Sequence, residues 1–285
     1  MENVTTVPEF LLLGLTSAQG LQPIFFVMFL VIYLVNLVGN GAIVGIVVLE
    51  AKLHSPMYFF LGNLSCLDIC YSSVTLPTVL TNLLCTRRAI SFLGCIAQLH
   101  FFHFLGCTEA VLLAVMAFDH FVAICNPLRY SAIMSPWLCA LMAAVAWISS
   151  FFYALMHSVM TARLSFCHSW TLDYFFCDVK PLLELACGDT RLNQCFLLFK
   201  NRSCRTLHKA LSTCASHFMV VCLFYGPVGF TYIRPASAAS MSEDRMAAIV
   251  YSAVTPVLNP LIYTLRNKEV MLALRKSLGR KLYKD

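Results

Sequence analysis

The chain has 285 residues, of which 59% are hydrophobic and only 12% charged, and its mean hydropathy is +0.76. Soluble domains carry about 25% charged residues, so this composition excludes a soluble enzyme and a disordered regulator and places the chain in a membrane. The 20 Lys and Arg against 14 Asp and Glu leave a net charge of +6. Much of that excess lies in residues 266–285, which suits a cytosolic tail beside anionic lipid and not a nucleic acid partner.

A membrane helix needs ~20 predominantly apolar residues to cross ~30 Å of hydrocarbon. In chain order the qualifying runs are about 21–49, 57–84, 95–118, 137–160, 210–233 and 246–265, with Pro23, Pro56 and Pro136 at or just before helix starts, where proline is tolerated. Hydropathy therefore counts six full-length spans. The two-residue alternation of an outer-membrane barrel is absent, so the fold class is all-α integral membrane, and residues 1–285 make one membrane domain.

Orientation follows from the flanking charges. Residues 1–23 hold Glu2 and Glu9 and no Lys or Arg, so the N-terminus is expected outside, where Asn3-Val4-Thr5 is a glycosylation acceptor. The tail carries Arg266, Lys268, Arg275, Lys276, Arg280, Lys281 and Lys284 and is expected inside. Ends on opposite sides require an odd number of spans, and six is even. The conflict sits between the fourth and fifth runs.

Most of the 14 cysteines lie in apolar runs and behave as small hydrophobes. Cys167, Cys177 and Cys187 differ: they stand ten apart in a polar loop at 161–190, on the same side as Cys95. Zinc is one reading, but the spacing lacks CxxC and the compartment is oxidising, so two disulfides are expected. Four thiols allow three pairings, and spacing leaves all three open.

Several strings, in order, resemble the olfactory receptor family of rhodopsin-like G-protein-coupled receptors. They are Gly39-Asn40, PMYFFLGNLSCLD (Pro56–Asp68), MAFDHFVAICNPLRY (Met116–Tyr130), Trp147, FFCDVKPLLELACGDT (Phe175–Thr190), KALSTCASH (Lys209–His217) and PVLNPLIYTLRNKEV (Pro256–Val270). The resemblance covers nearly the whole chain. It implies a seven-helix receptor bundle in the plasma membrane, disulfides Cys95–Cys177 and Cys167–Cys187, a small volatile odorant as ligand, and a heterotrimeric stimulatory olfactory G protein as partner. It also matches Tyr232 and Ser252 to positions that contact odorants, beside a face of the third span formed by Phe102, His103, Gly106 and Cys107.

Two departures stand out. Where the family has a complete fifth helix and a cytosolic loop, this chain has only residues 191–207, with Arg191, Lys200, Arg202 and Arg205 and one apolar run, Cys195–Phe199. Seventeen helical residues rise ~26 Å, short of the hydrocarbon core, so about thirty residues of the family pattern are expected to be missing. If this stub crosses, 13 basic residues lie inside and 7 outside; if it stays out, 4 lie inside and 16 outside, against the positive-inside rule. A chain in this position is expected to risk retention in the endoplasmic reticulum. The second departure is Asp119-His120-Phe121, where the family has Arg in the middle position and uses it as an inactive-state lock and a G-protein contact. His is shorter and mostly neutral at pH 7, so weaker coupling is expected; the competing reading is a boundary residue with no special role.

Asp68 and Glu109 lie inside apolar runs, where an isolated charge is costly. Two such acids share a proton or clamp a cation. The resemblance sets both near a mid-bundle sodium pocket, with Asn40 and Asn259 as neutral oxygen donors, and hard oxygens suit a small hard cation. The competing reading is a pair of hydrogen-bonded structural acids. Buried acids would also suit a channel or transporter, although no inverted repeat is visible. Apart from that sodium ion no cofactor is expected, and no GxSxG, HExxH, P-loop or Rossmann string stands in a fitting context, so no enzyme is expected. Residues 267–283 have Val270, Met271, Leu274, Leu278 and Leu282 opposite Lys and Arg, the pattern of a cytosolic amphipathic surface helix.

Overall fold

The computed structural model describes residues 9–13, 19–85, 88–166, 170–172, 174–188, 190–191 and 258. Four helices among them are long and apolar enough to cross a membrane: α1 (Gln22–Leu49), α2 (Pro56–Leu84), α3 (Phe92–Cys125) and, after the single turn α4 (Tyr130–Ile133), α5 (Pro136–Ala162). Apart from Arg191 and Leu258, the expected spans at 210–233 and 246–265, the stub at 191–207 and the tail lie outside the described residues.

Local chemistry sets the helix starts. Ser91 caps α3 by accepting from the Gly94 amide at 3.1 Å, and Ser135 caps α5 by accepting from the Leu138 amide at 3.3 Å. Pro56 and Pro136 occupy the first turns of α2 and α5, where the missing N–H removes no hydrogen bond. α3 is longer than its apolar run at 95–118: its 34 residues rise ~51 Å, beyond the ~30 Å hydrocarbon core. One rigid rod thus carries Cys95 at the outer end and Asp119 at the inner end.

α2 packs between α1 and α3, and α3 between α2 and α5. The main core runs from Phe29 of α1 through Leu64, Leu67 and Tyr71 of α2 to Leu99, Leu112 and Met116 of α3. A smaller cluster of Ile43, Ile46, Leu53, Tyr58 and Leu61 closes the opposite end of the α1–α2 pair. Ile24, Val27, Val31 and Val38 remain exposed along α1, as expected of a face against lipid.

The outer end carries a feature that hydropathy does not reveal. β1 (Glu9–Leu12) pairs antiparallel with β2 (Ala89–Ser91), in the register Phe10 opposite Ile90, and parallel with β3 (Thr171–Leu172), in the register Leu11 opposite Thr171. Arg88 donates from its guanidinium to the Leu13 carbonyl at 2.8 Å. Phe10 is fully buried among Phe92, Phe166 and Trp170, with ring centroids 5.0–6.1 Å away. The segment before the first span is therefore a strand of the outer cap, while the sequon at Asn3 lies outside the described residues.

Candidate functional site

The loop after α5 is drawn down onto the bundle. Cys177 is disulfide-bonded to Cys95 near the start of α3, which decides among the three pairings and removes these two thiols from any zinc site. Cys187 is disulfide-bonded as well; Cys167, its expected partner, lies outside the described residues. Gln98, one turn below Cys95, ties three elements together. Its carbonyl oxygen accepts from the Cys177 amide at 3.0 Å, and its Nε2 donates to the Val74 carbonyl at 3.0 Å and the Thr78 hydroxyl at 2.9 Å.

Beneath this anchor the loop residues Tyr174, Phe175 and Phe176 are buried, and Phe176 packs on Phe102 at 4.9 Å. Phe102 packs in turn on Tyr71 of α2 at 5.1 Å. Gly106 faces the same ring, since a Cβ there would sit 3.8 Å from the Tyr71 edge, and Cys107 lies within electrostatic reach of Tyr71. His103 looks toward the loop. Its Nδ1 donates to the Leu99 carbonyl at 3.0 Å, its Nε2 stands 3.9 Å from the Asp178 carboxylate, and its ring stacks on His157 of α5 at 5.9 Å. Asp178 is buried and also accepts from the Val179 amide at 2.7 Å, which starts the short helix α6 (Val179–Leu185).

The four α3 residues expected to meet a ligand thus fall into two groups. Phe102 and Gly106 lie against Tyr71, with Cys107 in the same region, and His103 pairs with the loop. Tyr232 and Ser252 lie outside the described residues. Tyr71, Gln98, His157 and Asp178 were not singled out from sequence, although Asp178 stands inside the quoted string beginning Phe175. A polar residue directly after the loop cysteine was the available signal.

Asp68 and Glu109 are both buried, and both lie within electrostatic reach of the Tyr71 hydroxyl. Beside Asp68 runs a chain of amides: Asn36 Nδ2 donates to the Asp68 backbone carbonyl at 3.5 Å, and Asn40 Nδ2 donates to the Asn36 side-chain oxygen at 2.7 Å. The carboxylates and amide oxygens are hard donors, a set that fits a small hard cation. Among the described residues no group of three or more His, Cys, Asp or Glu is placed to hold a metal ion. Asn259 lies outside the described residues.

At the inner end Asp119 is buried and accepts a hydrogen bond of 2.7 Å from the Tyr130 hydroxyl. Burial, and then this bond to Asp119, push the Tyr130 phenol well above its usual range, so it stays protonated and donates at physiological pH. His120 is half-buried beside this pair. Elsewhere, the formal sequon at Asn63 is engaged inside the bundle: Asn63 donates to the Phe59 carbonyl at 2.9 Å and accepts from the Trp147 indole at 3.3 Å.

The family model described as olfactory receptor matches residues 29–207 and again 199–281. Human olfactory receptor 12D3 is 73% identical over 311 residues, covering 100% of this chain and 98% of the relative. Human olfactory receptor 12D1 is 60% identical over 309 residues, and mouse olfactory receptor 1M1 is 42% identical over 306, each covering 99% of this chain. The 311 aligned positions exceed the 285 residues of this chain by 26, so the first of these relatives carries about that many residues without a counterpart here. The family match breaks and restarts at 199–207, within the stretch where the fifth helix is expected. Both parts of that match, and relatives aligned along the full length, leave one assignment: the chain belongs to the olfactory receptor family, whose members are seven-helix membrane receptors and not enzymes.

Proposed function

We propose that the chain binds a small volatile odorant beneath the second extracellular loop and relays its presence to a stimulatory olfactory heterotrimeric G protein at the plasma membrane. The observation that carries this reading is the convergence of Phe102, Tyr71, Phe176 and His103 under a loop pinned by Cys95–Cys177. Apolar, aromatic surroundings with a few polar handles suit a small apolar molecule with one polar group. Tyr232 and Ser252 would complete its lining. The test is a cAMP reporter in cells with surface labelling, screened against a panel of volatile compounds. An odorant response that Phe102→Ala abolishes at unchanged surface level supports the reading. A response that survives both Phe102→Ala and His103→Ala overturns this pocket.

The interrupted family match supports a second reading, a receptor-derived membrane protein retained in the endoplasmic reticulum. Residues 191–207 offer five consecutive apolar residues where ~20 are needed. Glycosylation of Asn201, in the acceptor string Asn201-Arg202-Ser203, in a fraction of molecules is the expected outcome if that stub stays on the luminal side; full modification of Asn3 with none at Asn201 would show that it crosses. Coupling has its own test. His120→Arg raises any G-protein response if the guanidinium is limiting, and leaves it unchanged if the missing fifth helix dominates.

Asp68 and Glu109, assisted by Asn40 and Asn259, would hold a sodium ion or share a proton, which would offset two buried negative charges at mid-bundle. Asp68→Asn and Glu109→Gln are then non-additive, with a coupling of about 1 kcal/mol in thermal stability measured with and without sodium. Strict additivity would assign both acids separate structural roles.

A further inference from the structure

The structure holds a cavity of about 490 Å³ at the end of the bundle opposite the disulfide, well away from the odorant recess. It is lined by the last turn of α1 (Val47, Val48), by Leu53 and Phe59 around the start of α2, and by Met134 and Cys139 around the start of α5. His54 and Ser55 supply its polar margin. A disulfide forms on the oxidising side, so this end lies at the cytosolic leaflet. Trp137, 73% exposed one residue after the lining Pro136, is a side chain suited to the headgroup level of a bilayer. The cavity is therefore mostly apolar and placed where hydrocarbon gives way to headgroups.

Charge at the rim identifies what fills it. Lys52 immediately precedes the lining Leu53, and Arg129 immediately precedes Tyr130, whose carbonyl accepts from the amide of the lining Met134 at 2.8 Å. Both basic side chains are exposed. Glu50 is the acidic residue on the same loop, and Asp119 is engaged by Tyr130. The charged residues on the two loops that flank the cavity, Lys52, Arg129 and Glu50, thus sum to a net positive charge. We propose that this groove is a binding site for an anionic phospholipid of the cytosolic leaflet, with one acyl chain against Val48, Phe59 and Cys139 and the headgroup between Lys52 and Arg129. Basic pockets between spans on the cytosolic side have the chemistry to recognise such headgroups.

The experiment uses the full chain in cell membranes loaded with phosphatidylserine or phosphatidylcholine carrying a photoreactive group on one acyl chain, a few carbons from the headgroup. Adducts are mapped by mass spectrometry. The expected result is labelling concentrated on peptides 47–59 and 134–139, stronger for phosphatidylserine, with that preference falling about fivefold for each of Lys52→Ala and Arg129→Ala. Cys139→Trp, which fills the floor, removes labelling by both lipids. Because Lys52 and Arg129 are exposed, their variants keep the fold and remain informative should Cys139→Trp misfold. Labelling spread evenly over the lipid-facing residues of α1, α3 and α5 overturns the site. Equal labelling of the groove by both lipids overturns its anionic selectivity and so the proposal as stated. Neither readout depends on an odorant response, so the receptor reading can fail while this one stands.

Discussion

The two ends of the described bundle are held in different ways. The outer end is a closed cap: a three-stranded sheet, a disulfide between Cys95 and Cys177, the three bonds of Gln98 and a packed aromatic group at 174–176. At the inner end Asp119 meets the Tyr130 hydroxyl and His54 meets the Val48 carbonyl, and among the described residues there is neither sheet nor disulfide there, only an open groove nearby. The function proposed above gives the two ends different tasks. A ligand-binding recess needs walls held in one geometry, since ordering a loose wall at the moment of binding weakens affinity. A surface that meets a cytosolic partner is drawn from the less constrained end, where rearrangement costs less.

The largest expected effect tests the covalent part of the cap. The Cys95–Cys177 cross-link spans 82 residues of sequence, and removing such a link costs about 4–5 kcal/mol when it acts mainly on the unfolded chain. Cys177→Ser should therefore lower thermal stability in detergent more than any change at the inner end, and protease should then cut within 170–188 first. If the variant unfolds no more easily than the parent, the sheet and aromatic packing hold the cap without the disulfide.

Gln98→Ala should come next. It orphans the buried Cys177 amide and frees the Val74 carbonyl and the Thr78 hydroxyl, at a cost of about 1–3 kcal/mol. Gln98→Glu keeps the acceptor for Cys177 but loses the two donated bonds, so it should fall between parent and alanine variant. An alanine variant as stable as the parent would make the bridge incidental.

The smallest effect belongs to the inner end. Tyr130→Phe removes one hydrogen bond to a carboxylate close to bulk water, and about 1 kcal/mol is expected, because water replaces part of the lost bond. The informative readout is the mobility of residues 126–135 by hydrogen exchange, which should rise while that of 170–188 stays unchanged. Equal rises at both ends would mean that the two ends melt as one unit, and the contrast drawn above would not hold.

Sequence and structure divide along the same line. That α1, α2, α3 and α5 form long apolar helices was legible because a membrane helix satisfies its backbone within itself, and hydropathy and prolines report it locally; the extension of α3 beyond 95–118 to Phe92–Cys125 was not. The burial of Asp68 and Glu109 was legible for the same reason, as acids in apolar runs have nowhere else to go. Family strings extended this to the pairing of Cys95 with Cys177, which spacing had left open. The cap sheet was not legible. Glu9–Leu12 is four residues without a strong pattern, and it becomes a strand because Ala89–Ser91 and Thr171–Leu172 are brought beside it. Nor were Gln98 and Asp178, which look like ordinary polar residues until the loop folds down and sets Cys177 against one and His103 against the other. The lipid-facing groove belongs to the same class, because its walls come from the end of one span, a short loop and the starts of two others. Among the described residues, the sequence alone therefore determined which segments form long apolar helices and which acids they bury, since those are properties of one helix at a time. Which of these groups meet, and what spaces they leave between them, was decided by tertiary packing, since each such contact joins residues tens of positions apart, whose proximity no local pattern encodes.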